Sequence, residues 1–251
     1  MAKIALVTGG SRGLGKNMAL SLAAKERDVI ITFVNNKDEA LDVVRQLQVL
    51  GRRAAAIYLD LKDINGISTF IKNLKYTLKQ VFNSDKVDFL INNAGMGATV
   101  PFEEVSEQLF DDFMNVHLKG VFFLTQQCLP ILNDNSRIIN ISSGTTRFAN
   151  PGYSVYASMK GGLEVLTRYM AKELGKRGIT ANVVAPGPIE TDFNNAAIRN
   201  NPLLKSALSG MSPLGRVGEA DDIGGVIAFL CSEEARWING QRIEVSGGIN
   251  S

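Results

Sequence analysis

Ile4-Ala5-Leu6-Val7-Thr8-Gly9-Gly10-Ser11-Arg12-Gly13-Leu14-Gly15 places four apolar residues and a threonine directly before a run of glycines, and a helical pattern begins where the run ends. Apolar residues in unbroken succession suit a strand buried on both faces, as in a parallel sheet covered by crossover helices. The glycines let the chain turn sharply and let a phosphate approach the backbone, while the free N–H groups of a helix start favour an anion. The spacing is Gly9-x-x-x-Gly13-x-Gly15 rather than G-x-G-x-x-G, because Met18 occupies the place of a third small residue. Gly10, Gly15 and Lys16 come near a P-loop. Asn17, however, replaces its Mg²⁺-binding hydroxyl, and the fourth strand ends Ile91-Asn92-Asn93 without an acidic residue, so nucleotide hydrolysis is set aside.

Outward from this stretch the same rhythm repeats. Short β-branched or apolar runs recur at 4–7, 29–34, 54–59, 87–91, 137–141, 179–184 and 242–245, with helical spacing at 13–25, 37–50, 107–132 and 153–176. The pattern predicts an α/β, doubly wound fold, a seven-stranded parallel sheet with helices on both faces. No linker, repeat or low-complexity segment divides residues 1–251, which read as a single domain. The polar stretch 191–213, with Asn194, Asn195, Asn200 and Asn201, breaks the rhythm after a presumed strand end and is a candidate lid.

Composition narrows the function classes. With 45% hydrophobic and 21% charged residues, the 251-residue chain has the makeup of a globular protein. Such a chain buries roughly three-quarters of its unfolded surface and needs neither metal nor disulfide to hold together. Lys and Arg number 27 against 25 Asp and Glu, with no long basic run, which argues against a nucleic-acid-binding face. Cys128 and Cys231 lie far apart in apolar stretches without C-x-x-C spacing and read as reduced core residues. The amino-terminal apolar run is too short for a signal peptide, and no run of about 20 apolar residues occurs. The expectation is a cytoplasmic protein with no membrane partner.

Tyr156-Ala157-Ser158-Met159-Lys160 falls near the start of a predicted helix, where residues four apart share a face. A cation beside a phenol favours the phenolate, and pairs of this kind shift a pKa by about 1–3 units, from ~10 toward neutrality, which suits a general acid–base. Y-x-x-x-K also arises by chance on solvated helices, so position has to decide. The predicted strand at 137–141 runs into Ser142-Ser143, at the strand end where open α/β sheets bind ligands, and Ser143 precedes Tyr156 by 13 positions.

Here the chain resembles the short-chain dehydrogenase/reductase family, whose Ser, Tyr and Lys stand at this spacing and whose glycine loop reads Thr-Gly-x-x-x-Gly-x-Gly. The resemblance runs the length of the chain: the glycine loop, Asp60 after the third strand, Asn92-Asn93-Ala94-Gly95, Asn115, Ser143/Tyr156/Lys160, Pro186-Gly187-Pro188-Ile189-Glu190-Thr191 and Gly247-Gly248. It implies a Rossmann fold and hydride transfer between a nicotinamide cofactor and a carbonyl or secondary alcohol. By resemblance, Tyr156 gives or takes the proton on the substrate oxygen, and Ser143 hydrogen-bonds that oxygen. Lys160 lowers the tyrosine pKa and binds the nicotinamide ribose, and Asn115 completes a relay through water. The cofactor contacts it implies are Gly9, Ser11, Arg12, Gly13, Leu14, Gly15, Asn35, Asn36, Asp60, Leu61, Asn93, Ala94, Gly95, Tyr156, Lys160, Pro186, Gly187, Ile189 and Thr191; no metal is implied. Tyr153 has Ala157 rather than lysine four positions on and reads as pocket wall. His117, the sole histidine, has no counterpart in the family and sits in an apolar helix, so no catalytic role is expected of it.

Phe33 stands where NAD-dependent members carry aspartate, and Arg12, with Asn35, Asn36 and Lys37 nearby, resembles the basic residue of NADP-preferring loops. NADP(H) is therefore expected over NAD(H). The general look is that of bacterial 3-oxoacyl-[acyl-carrier-protein] reductases, and Arg177 matches one basic position suited to an acidic carrier. Against this, Asn133-Asp134-Asn135 lie where carrier-dependent reductases tend to be basic, and the lid looks longer than theirs. The expectation is a free small-molecule substrate, with an acyl-carrier-linked one as the alternative. A cofactor-binding regulator without turnover is the reading from another class, and intact Asn115, Ser143, Tyr156 and Lys160 argue against it. Family members commonly pair through the helices carrying Asn115 and Tyr156, which implies a homotetramer or dimer. Phe110, Phe113, Phe122 and Phe123 either serve that contact or cover the sheet.

Overall fold

The computed structural model describes residues 2–249. Its strands are β1 (Ile4–Val7), β2 (Asp28–Phe33), β3 (Ala54–Tyr58), β4 (Val87–Asn92), β5 (Leu132–Ile141), β6 (Thr180–Pro186) and β7 (Arg242–Val245). They form one sheet of order β3-β2-β1-β4-β5-β6-β7, and every neighbouring pair is parallel. The helices are α1 (Gly13–Ala24), α2 (Lys37–Val49), α3 (Ile67–Phe82), α4 (Glu107–Met114), α5 (Gly120–Cys128), α6 (Ser154–Glu173), α7 (Phe193–Asn200), α8 (Pro202–Met211) and α9 (Asp221–Leu230).

Successive side chains of each strand enter opposite apolar layers, because a strand alternates its faces. Ile4, Leu6, Ile30, Leu90 and Ile138 pack with Phe70, Leu74 and Leu78 of α3 and Met170 of α6. Ala5, Val7, Val29, Ile31, Phe89, Ile91 and Ile139 pack on the other face with α1, α2 and α9. The sequence expectation of a doubly wound sheet is met. After β3 the chain crosses back to β4 on the far side of β1, so the winding direction reverses between β1 and β4 and opens a crevice at their carboxyl ends.

A chain of buried amides threads this apolar sheet. Asn92 Nδ2 donates to Asn140 Oδ1 at 2.7 Å and to Thr125 Oγ1 at 3.2 Å; Asn140 Nδ2 donates to Thr167 Oγ1 at 2.8 Å, and that hydroxyl donates to the Leu163 carbonyl at 2.7 Å.

Two departures from the sequence reading concern the site. The helix predicted over 107–132 is broken by a π-turn at Asn115–Lys119, and it gives way to a short 3-10 turn at Leu129–Ile131, with Pro130 inside it, before β5 begins at Leu132. The polar stretch 191–213 folds into α7 and α8, with Asn194, Asn195 and Ala196 at φ of 52°, 56° and 55°. Of the four phenylalanines, Phe113 is buried and Phe123 packs on the core, whereas Phe110 and Phe122 are exposed. Cys128 and Cys231 are buried and unbridged. Among the described residues no helix is long and apolar enough to cross a membrane, and no cluster of potential metal ligands occurs.

Candidate active site

β1 delivers Thr8 into the crevice, where its hydroxyl oxygen accepts from the N–H groups of Asn93 and Ala94, both at 2.9 Å. Asn93 Nδ2 donates in turn to the Thr8 and Gly9 carbonyls, and Gly9 N–H donates to Thr32 Oγ1 of β2. The ends of β1, β2 and β4 are thereby tied into one frame. Gly9 has φ +65° and Gly13 φ +54°, conformations that side chains rarely adopt. Gly15 has no room for one: a β-carbon there would overlap the Gly9 carbonyl oxygen and stand 2.6 Å from Asn93 Nδ2. The first turn of α1 carries no acidic residue, and its N–H groups have no intrahelical partner. This cradle fits a nucleotide pyrophosphate, with Ser11, Arg12, Gly13, Leu14 and Gly15 around it.

The other residues expected at the cofactor gather on the same carboxyl edge. Asp60 follows β3 with its carboxylate accepting from Lys62 N–H at 2.9 Å, and Leu61 is buried beside Gly120. Gly187 N–H donates to the Val245 carbonyl, Ile189 pairs with Gly218, and Thr191 returns to the glycine loop, 3.7 Å from where a Gly13 β-carbon would stand. Arg12 is exposed and makes no ion pair among the described residues, Asn35 and Asn36 follow β2, and Phe33 packs edge-on against Tyr58.

Ser143 stands just past the end of β5, where its Oγ accepts from Thr145 N–H at 3.2 Å and Thr145 Oγ1 at 3.0 Å, leaving its own proton to donate. Tyr156 lies in the first turn of α6 and Lys160 one turn on. Lys160 is buried, with Nζ donating to the Ile141 carbonyl at 2.7 Å and lying 5.6 Å from the Tyr156 ring centre. Lysine and phenol therefore meet as expected, but the expected pKa direction is overturned. Burial pushes the Tyr156 phenol up to about 12, with the Ser143 hydroxyl pulling back and Tyr153 adding to the rise. Burial also brings Lys160 down to about 7. The packing that joins the pair strips water from both groups, and each drifts toward its neutral form.

A family model described as enoyl-(acyl carrier protein) reductase matches residues 9–250. A 3-oxoacyl-[acyl-carrier-protein] reductase of Staphylococcus aureus is 37% identical over 99% of this chain and 98% of its own. The chain is a short-chain dehydrogenase/reductase. Among solved structures, the promiscuous reductase LugOII, which catalyses keto-reduction at C1 during lugdunomycin biosynthesis, superposes with a TM-score of 0.93 at 36% identity, covering 98% of this chain and 97% of that one. The angucycline C-6 ketoreductase LanV, with NADP bound, gives a TM-score of 0.91 at 37% identity over 98% and 95% of the two chains.

Within this short-chain dehydrogenase/reductase, the π-turn at Asn115–Lys119 faces the catalytic helix. Residues two apart on a helix face different ways, and the π-turn presents His117, not Asn115, to the reacting tyrosine. The His117 and Tyr156 rings meet edge-on at 5.2 Å, whereas no hydrogen bond or ring contact joins Asn115 to Ser143, Tyr156 or Lys160. Asn115 is half-buried in the π-turn, and His117, of which no catalytic role was expected, is the residue of that turn that touches Tyr156. The expected lid supplies two residues to the site: Asn194, named in that expectation, and Phe193, which sequence reasoning missed. Phe193 lies 6.0 Å from the Tyr156 ring, and Asn194 Nδ2 reaches Thr99 Oγ1 and the Tyr153 hydroxyl. The asparagine-rich composition of that stretch was the available signal, since asparagine tolerates positive φ.

Proposed function

We propose that this chain is an NADP(H)-dependent reductase of a free small-molecule carbonyl, also able to oxidise the corresponding secondary alcohol, and that it works as one domain in the cytoplasm as a homotetramer or dimer. The observation that carries the reaction is the convergence of Ser143, Tyr156 and Lys160 at the end of β5, beside the glycine cradle. A nicotinamide held in this crevice would supply or take up the hydride at the substrate carbon. As negative charge builds on the substrate oxygen, Ser143 Oγ–H and Tyr156 O–H are two donors already in place. Tyr156, kept a phenol by burial, hands its proton to that oxygen, which is the stronger base. Lys160, titrating near neutrality and held by the Ile141 carbonyl, restores the phenol's proton.

In this reading Gly9 shapes the turn, with its own N–H tied to Thr32, the N–H groups of Ser11, Gly13, Leu14 and Gly15 hold the pyrophosphate, Asp60 and Leu61 meet the adenine, and Asn93, Ala94 and Gly95 flank the adenosine side. Pro186, Gly187, Ile189 and Thr191 meet the nicotinamide. Arg12, Asn35 and Asn36 receive the 2′-phosphate, a preference supported by Phe33 in place of a carboxylate and by the NADP bound to LanV.

The free substrate is favoured because Arg177 is occupied. Its guanidinium donates to Asp134 at 2.8 Å and to the Leu129 and Leu132 carbonyls at 2.9 and 2.6 Å, leaving little of it for an acidic carrier. The identity to the staphylococcal enzyme supports the acyl-carrier-linked alternative. Loss of NADPH absorbance with simple ketones, diketones and an acetoacetyl thioester tests the reading. Turnover that vanishes in Tyr156→Phe supports it, a thioester preferred over every free ketone overturns the substrate class, and tight NADPH binding without turnover of any compound overturns the reaction. The exposed Phe110 and Phe122 support the oligomer, and elution at the 27.2 kDa of a single chain overturns it.

A further inference from the structure

His117 is buried, and its ring is clamped between Phe113, 5.3 Å away, and the edge of Tyr156. Gly95 makes the space: a β-carbon there would stand 3.0 Å from His117 Cε1. Nε2 lies 2.9 Å from the Met96 carbonyl and 3.3 Å from the Met96 N–H, and one ring nitrogen cannot serve both as donor and acceptor. The shorter contact favours Nε2–H donating to the carbonyl. The opposite tautomer would leave a buried, unpaired Nδ1–H within the field of the Lys160 ammonium. The assigned tautomer instead leaves Nδ1 as a buried lone pair with no partner among the described residues.

Lys160 presents the complementary deficit. Its ammonium has three donors and one protein acceptor, the Ile141 carbonyl. A buried lone pair and a buried ammonium with a donor to spare beyond the Ile141 carbonyl and the ribose contact expected of it meet at the same tyrosine, and an orphaned buried lone pair calls for an account.

We propose that His117 is a positioning residue for this reaction: its Nδ1 accepts from the Lys160 ammonium through one solvent molecule, while its ring fixes Tyr156 edge-on. The inference rests on the roles given above to Tyr156 and Lys160. The titratable groups facing His117 are Lys160 and Tyr156 of α6, with Tyr153 beyond Tyr156; its other neighbours are Phe113, Gly95 and the Met96 backbone. Burial, reinforced by the Lys160 charge and opposed by the Met96 backbone, holds the imidazole well below its usual range, so it acts as a neutral acceptor and takes up no proton itself. Accepting from the ammonium stabilises the charged lysine, and a charged lysine makes the phenol easier to ionise.

Removal of the acceptor therefore has a defined sign. Lys160 loses its proton at lower pH, Tyr156 becomes harder to ionise, and alcohol oxidation, which uses the phenolate, loses rate at a higher pH than in the wild type. His117→Phe keeps a ring and removes the acceptor, whereas His117→Gln restores an acceptor oxygen. For His117→Phe the expected result is kcat lower by roughly tenfold or more, an NADPH KM within about twofold of wild type, and an acid limb of the oxidation profile raised by about one pH unit. His117→Gln recovers most of both.

A second measurement does not depend on activity. His117 is the only histidine, so ¹⁵N spectra of untagged protein report it alone. The expected signature is a protonated Nε2 and a bare Nδ1 whose resonance moves in Lys160→Met. A protonated Nδ1, a resonance indifferent to Lys160→Met, an unmoved acid limb in His117→Phe, or a His117→Gln as impaired as His117→Phe each overturns the proposal. Wild-type protein that turns over none of the test compounds overturns the reading beneath it, and the spectra then still decide whether Nδ1 meets Lys160.

Discussion

Gly15→Ala adds one methyl group at the place where the glycine loop closes on itself. The new carbon would overlap the Gly9 carbonyl oxygen, approach the Gly9 carbonyl carbon to 2.9 Å and lie 2.6 Å from Asn93 Nδ2. Two of those three atoms are backbone, so rotation of a side chain cannot relieve the contact; the loop must move off α1. Overpacking of this kind costs about 1–3 kcal/mol. Loss of the Asn93 hydrogen bond to Gly9 adds about 1 kcal/mol, and the better helix propensity of alanine returns about 1 kcal/mol. The net of about 1–3 kcal/mol lowers Tm by roughly 2–12 °C in a protein of this size. The same displacement turns the first-turn N–H groups away from a bound pyrophosphate. Charge-assisted hydrogen bonds are worth about 1.5–3 kcal/mol each, so the Kd for NADPH rises about tenfold to a hundredfold. Circular-dichroism melts and a fluorescence titration with NADPH read the two effects. Gly225→Ala, in a helix where a β-carbon meets nothing within 4 Å, is the control and leaves Tm unchanged or slightly higher. A Gly15→Ala protein that melts with the wild type and binds NADPH within about twofold of it would refute the assignment of this loop as the phosphate cradle.

Phe33→Asp places a carboxylate at the end of β2, and like-charge repulsion of about 1–4 kcal/mol should lower the NADPH-to-NADH ratio of kcat/KM about fivefold or more; an unchanged ratio rules out recognition of the 2′-phosphate there. Lys160 falls from its usual 10.5 to about 7 in the folded protein, so between pH 7 and about 10 the unfolded chain binds a proton that the folded chain lacks. Stability of the cofactor-free protein therefore rises with pH across that window, and the cost of burying the charge is fully present below it. Melts at pH 7 and pH 9 should show that rise in wild type and a smaller one in Lys160→Met, and equal slopes would count against it. Asn194→Ala removes hydrogen bonds to Thr99 and Tyr153 and puts alanine at φ 52°, so cleavage within 191–213 under limited proteolysis should be severalfold faster; equal cleavage rates would show that these bonds do not hold the lid.

The sheet was legible because buried parallel strands announce themselves. Ile4–Val7 and Val87–Asn92 are almost wholly apolar, and the glycines after the first strand mark the crevice. Ser143, Tyr156 and Lys160 were legible because their spacing survives translation into geometry, a strand end followed by one turn of helix. His117 was not, since a motif carried over by position assumes an uninterrupted helix, and the π-turn at Asn115–Lys119 changes the direction in which its side chains leave the axis. The lid helices hid in a polar stretch because they bury no residue in the core: Leu203, Leu204 and Met211 are exposed, and Phe193 lies against Tyr156. The direction of the Tyr156 pKa was misjudged for a related reason: charge proximity is visible in sequence, and the loss of water around Tyr156 is not.

The amide chain from Asn92 through Asn140 and Thr167 to the Leu163 carbonyl bears on how the molecule finds its fold. Apolar strands such as β4 and β5 slide past one another at little cost, because one valine or isoleucine replaces another. A slip of β5 by a single residue would turn Asn140 to the opposite face from Asn92, break their hydrogen bond and strand both amides in hydrocarbon. These polar groups therefore act as an indexing pin during assembly: they penalise every alignment but one, and they couple the pairing of β4 with β5 to the docking of α5 and α6 on top. The alignment they select is the one that sets Ser143 level with the glycine loop, so the accuracy of the catalytic geometry is decided in the interior, well away from any substrate.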